Sequence, residues 1–151
     1  MKRHQALQPV SRDHHFGLML CWKIRQGFDK GVSADRMKSY IDWFYENHIL
    51  PHFEIEEAWV FPILGQDHEL VQRALGEHQR LQALFTDKDN PSETVALIAT
   101  ELEQHIRFEE RVLFEKIQEI GTVEELKRVQ AAHPDEKFEE NTKDMFWMDD
   151  K

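Results

Sequence analysis

The chain has 151 residues, nine histidines, a single cysteine and a formal net charge of -10. That acidic balance, with no basic patch, disfavours a role on nucleic acid or on an anionic membrane surface. The lone Cys21 rules out an internal disulfide and fits a reducing cytoplasm, and the length suits one domain that buries a core without staples. No apolar run approaches a membrane span, and Met1-Lys2-Arg3-His4-Gln5 leads into no apolar stretch of a signal peptide.

Residues 1–10 read as an irregular leader. Ser11 or Asp13 then caps a first helix over about Arg12 to Gly27, with Leu18, Cys21, Ile24 and Phe28 on one face and Gly27 and Gly31 at its exit. Ser33 caps a second helix. Its stripe is Met37, Ile41, Phe44, His48, His52, Ile55 and Trp59, and Pro62 stops it. Pro51 lies inside this helix, where it removes a donor and crowds the carbonyl of Asn47, so a kink is expected.

A third helix runs from near Asp67 to about Phe85 through Val71, Ala74, His78 and Leu81. After a polar loop, Ser92 caps a fourth helix with Val95, Ile98, Leu102, His105, Glu109 and Val112 on its stripe, ended by Gly121. A short fifth helix follows from Val123 to Ala132, closed by Pro134. The remaining tail is acidic but carries Phe138, Met145, Phe146 and Trp147, which predicts partial docking, because large apolar side chains are costly to leave in water. The expected architecture is all-α: an antiparallel up-down-up-down four-helix bundle over residues 11–121, followed over 122–151 by the short helix and acidic tail.

The chemistry sits on the stripes. His52 is followed four residues on by Glu56, and His105 by Glu109, a spacing that puts each pair on one helix face. A single histidine on an apolar stripe is ordinarily a satisfied core residue, but carboxylates are almost never buried without a partner. Here the pairs recur, and the other helices add His14 or His15 and His78. His48, one turn before His52, is a further candidate. Imidazole and carboxylate together suit iron, manganese or zinc, and this set exceeds the needs of one ion. The metal candidates are therefore His14, His15, His48, His52, Glu56, His78, His105 and Glu109. Helical phase favours His14 over His15. Glu57 and Glu110 read as exposed or supporting carboxylates, and Trp59 and Phe108 as core fillers that could also wall a dry pocket over the metals.

The stretches Asp13-His14-His15, His52–Glu57, Glu77-His78-Gln79-Arg80-Leu81 and His105–Glu110 together resemble the hemerythrin-like HHE cation-binding domain, over roughly residues 11 to 120. The resemblance implies a non-haem centre of two iron ions, oxo- or hydroxo-bridged, that binds or senses oxygen, peroxide or nitric oxide. It implies a ligand binder rather than a catalyst. One departure matters: oxygen-carrying members place two histidines four apart on the third helix, and here the position four before His78 is Ala74. The resulting set of four histidines and two glutamates is similar to the di-iron domain of iron–sulfur cluster repair proteins. Iron storage, iron delivery or repair under oxidative or nitrosative stress is therefore the alternative. The expected partner is a small diatomic or peroxide ligand; the sequence names no protein partner and leaves a homodimer open.

Overall fold

A computed structural model of the protein describes residues 2–133 and 137–149. Among these residues all regular structure is helical, and no helix is long and apolar enough to cross a membrane. The chain enters through a 3-10 turn, Gln5–Leu7, capped by the His4 ring, whose Nδ1 accepts from Ala6 N at 3.0 Å. Helix α1 follows directly (Gln8–Asp29). The leader expected to be irregular is thus helical from Gln5. Pro9 explains the early start: in a first turn its missing N–H costs nothing and its fixed φ suits the helix. Ala6, Leu7 and Val10 are buried, which anchors this turn in the core. Gly27 does not end α1, and the exit comes at Gly31, whose φ of 72° is open to glycine at little cost.

Ser33 Oγ accepts from Arg36 N and starts α2 (Ala34–Phe44). The rod then continues unbroken through a π turn (Tyr45–Ile49), α3 (Leu50–Ile55), a second π turn (Glu56–Val60) and a 3-10 turn (Phe61–Ile63). The strain expected at Pro51 is taken up by the first π turn, where Leu50 N–H reaches back five residues to the Tyr45 carbonyl. Helix α4 (Glu69–Thr86) is capped by His68, whose Nδ1 accepts from Leu70 N. Helix α5 (Pro91–Phe108) begins at Pro91 rather than after a Ser92 cap, again a proline in a first turn. It passes through a third π turn (Glu109–Leu113) into α6 (Phe114–Ile120). A reciprocal capping box between Thr122 and Glu125 starts α7 (Val123–Ala132). The expected stop at Pro134 lies outside the described residues.

The π turns move the buried face by one residue. A strict helical stripe puts Trp59 and Val112 inside, yet both are exposed (45% and 44%) while Val60 and Leu113 are fully buried (both 0%). A π turn closes five residues on instead of four, so each one inserts a residue into the register. Trp59 is therefore no pocket wall, and Phe108, though buried, lies under the Arg73 guanidinium.

Helix α5 packs against α1, α2 and α4. The apolar side chains form two clusters. One gathers Leu20, Ile24, Met37, Phe44, Leu81 and Leu102, and the other Leu7, Val10, Val60, Phe61, Phe108 and Phe114. Along each helical rod the buried histidines and glutamates fall between the two, as a polar layer in an otherwise apolar interior.

The described part of the C-terminal tail, residues 137–149, lies as a strap on α1 and α2. Phe146 and Trp147 are buried against Tyr40, with ring centroids 5.7 and 4.9 Å away. Lys23, only 3% exposed, donates to Glu140 and to the Tyr40 hydroxyl and sits 4.2 Å from the Trp147 ring centre. Arg36 holds Asp144 through two hydrogen bonds of 2.8 and 2.7 Å. Gly27 makes room for this docking: a Cβ there would lie 2.4 Å from Met37 Sδ and 2.9 Å from Phe146 Cε1.

Two outcomes follow from this packing. Gly27→Ala is expected to destabilise the protein by roughly 1–3 kcal/mol in denaturant unfolding, because overpacking outweighs the better helix propensity of alanine. Equal or greater stability would show that the strap yields freely. Burial pushes the Cys21 thiol up to about 12, so the folded protein should resist alkylation at pH 8 while the unfolded chain reacts fully. Mass spectrometry after a timed iodoacetamide pulse reads the difference.

Candidate metal centre

The polar layer is built around two carboxylates. Glu56 opens the second π turn and Glu109 the third, and neither has any exposed surface. Four buried imidazoles surround them: His14 from α1, His52 from α3, His78 from α4 and His105 from α5. Each histidine turns Nε2 to the centre. Glu56 Oε2 lies 3.2 Å from His52 and 3.5 Å from His14, while its Oε1 lies 3.1 Å from His78. Glu109 Oε2 lies 3.1 Å from His105 and 3.5 Å from His78, while its Oε1 lies 2.8 Å from His14. Each carboxylate thus offers one oxygen to each pair of histidines. The ligand atoms form two groups, His14-His52-Glu56-Glu109 and Glu56-His78-His105-Glu109, each within 4.8 Å, and the two glutamates belong to both.

These donors fit a cation. His52, His78 and His105 Nε2, both Glu56 oxygens and Glu109 Oε2 are buried without a hydrogen-bond partner. A polar atom left that way costs about 1–3 kcal/mol, and six facing one another are hard to reconcile with anything but a positive charge among them. The electrostatics agree. Burial opposes charge on the imidazoles, yet Glu109, Glu110 and Glu56 hold His14 well above its usual range. For His52 burial is outweighed by Glu56 and Asp13, and it rises to about 9. Burial likewise opposes charge on Glu109, but His105 keeps its carboxyl well below the usual range. A metal at these donors would compete with protons for the same nitrogens and oxygens.

The outward nitrogens are also held. His14 Nδ1 donates to Glu110 at 2.7 Å, His52 Nδ1 to Asp13 at 2.9 Å, His78 Nδ1 to Glu57 at 2.7 Å and His105 Nδ1 to Glu77 at 2.8 Å. A carboxylate behind each ring fixes the tautomer, leaves the Nε2 lone pair for a metal and raises its basicity. The order is cyclic. Each rod supports a histidine of the next: α1 supports α3, the second π turn supports α4, α4 supports α5, and the third π turn returns to α1.

Asp13, expected as a possible cap, instead accepts from His52. Glu77 had no expected role. Both stand directly before a candidate histidine, as Glu57 and Glu110 stand directly after a candidate glutamate, and that adjacency was the available signal. Two of the eight candidates are not brought in. His15 is exposed and stacks edge-on against Phe16. His48 packs among Trp43, Phe44 and Phe138, outside both groups.

The match of a family model decides the relationship: the Hemerythrin HHE cation binding domain fits residues 10–117, which hold all six central donors. The chain belongs to the hemerythrin HHE family. No curated protein and no solved structure matches it. As an HHE cation-binding domain it carries buried His/Glu groups able to hold metal, and α7 and the strap lie beyond the matched span.

Removing one supporting charge tests the outer ring. Glu77→Gln is expected to weaken metal binding roughly 10- to 100-fold in a chelator competition titration, with helix content unchanged. His15→Ala in the same titration should bind like the parent protein. Equal affinity for all three would assign no role to the outer carboxylates.

Proposed function

We propose that the protein is a di-iron binder of small oxidising or diatomic ligands, oxygen, peroxide or nitric oxide, built on an up-down-up-down four-helix bundle over residues 11–121. The observation that carries this reading is the sharing of Glu56 and Glu109 by two groups of donors, since one ion needs neither two bridges nor four imidazoles. Imidazole with carboxylate suits iron. Iron held there would supply a redox-active Lewis acid with fewer protein ligands than its preferred six.

The surroundings favour a ligand at one end of the centre. A cavity of about 20 Å³ is lined by His14, His52 and His105 but not by His78. His78 is closed off by Phe53, stacked at 3.7 Å, and by Phe61 at 5.2 Å. The cavity has room for about one water-sized molecule. Phe16, Phe44, Ile49 and Phe53 line its other side and keep bulk water away. In this dry setting the Nδ1–carboxylate bonds hold the imidazoles so that no reorganisation is needed when a ligand enters.

Iron delivery is the less suited reading. Both bridging glutamates are fully buried and every histidine is braced, which favours a resident metal over a cargo.

Protein purified in air should carry about two irons per chain and show ferric absorption in the near ultraviolet that bleaches on reduction. His52→Ala and His105→Ala should each lose iron while remaining helical. No metal, or a single zinc, would reject the di-iron reading, and full iron in both variants would reject the ligand assignment.

A further inference from the structure

We propose that Phe138 is the plug of the route by which small ligands reach the centre, and that the C-terminal strap holds it in place. The inference rests on reading the inner cavity as the ligand site. A second cavity, of about 90 Å³, adjoins the first, and Asp13, Phe16, His48 and His52 line both. These residues are the partition between an outer vestibule and the inner cavity. The strap enters at the vestibule: Lys137 and Phe138 line it but do not reach the inner cavity.

Phe138 rests on the partition itself. Its ring stacks on Phe16 at 4.4 Å with an interplanar angle of 12°, and lies 4.8 Å from His48. Trp43 and Phe44 flank it at 6.3 Å. The anchor is close in sequence and distinct in chemistry. Glu140, two residues on, carries the buried Lys23 and the Tyr40 hydroxyl, and Phe146 and Trp147 fill the groove beyond. Burying Lys23 without Glu140 would leave an uncompensated charge, so the plug and the ion pair are held or released together. The strap meets the body through side chains and forms no regular helix or strand within residues 137–149, the kind of segment that opens by itself before the core unfolds. Phe138 thereby selects ligands by size and sets how fast they enter and leave, without touching the metal site.

The test uses azide as probe with the iron-loaded, oxidised full chain in a stopped-flow instrument. Phe138→Ala should raise both the association and dissociation rates about tenfold or more and shift the equilibrium constant by less than about threefold, as expected for a gate. Phe138→Trp should slow both. Glu140→Gln, which alters neither cavity wall, should act in the same direction as Phe138→Ala. Unchanged rates in Phe138→Ala and Glu140→Gln at parental iron content overturn the proposal. A parent protein without iron would strike the ligand-site reading, and hydrogen exchange on the metal-free chain then judges the gate alone. Strap amides should exchange well before those of α1 and α2, and exchange only on global unfolding overturns it.

Discussion

Two carboxylates with no solvent contact impose their requirements on the rest of this fold. An isolated buried carboxylate is among the costliest groups a protein can hold, and Glu56 and Glu109 sit side by side, each adding to the cost of the other. They are tolerable only with positive charge between or around them. Four helical rods bring an imidazole each to supply or replace it, and apolar clusters lie on either side of the layer. The centre is thus a constraint on helix placement as much as a product of it.

Support in this layer is passed around rather than kept within a helix. Each histidine is oriented by a carboxylate from a neighbouring rod, so a shift of one rod disturbs the imidazole of the next. The donors are evenly matched between the two groups, but their surroundings are not. Phe53 and Phe61 close the His78 side, whereas the His14–His52 side borders on space, and Asp13 also meets a histidine of the C-terminal region, His133 at 2.7 Å.

The parts legible in the sequence are those that obey local periodicity. His52 with Glu56 and His105 with Glu109 follow from helical spacing, and the preference for His14 over His15 follows from phase. What escaped needed either a break in period or contact across rods. His48 continues the stripe of His52 on paper, but the π turn at Tyr45–Ile49 intervenes and the ring joins an aromatic group instead. The π turns at Glu56–Val60 and Glu109–Leu113 likewise moved burial from Trp59 to Val60 and from Val112 to Leu113. Asp13 and Glu77 serve histidines 39 and 28 residues away, beyond any window of helical pattern. The apolar residues of the tail announced docking, but the Lys23–Glu140 pair that anchors it spans 117 residues and had no local mark.

The contacts of the polar layer recur in the two halves of the chain. Asp13-His14 followed by His52 and Glu56-Glu57 is repeated as Glu77-His78 followed by His105 and Glu109-Glu110, and the contact distances of one half match those of the other: 3.2 and 3.1 Å within the pairs, 2.7 and 2.7 Å from His14 and His78 to their outer carboxylates. The two groups of donors are thus built on one repeated contact pattern, with an outer carboxylate behind each imidazole and a shared pair of glutamates at the middle.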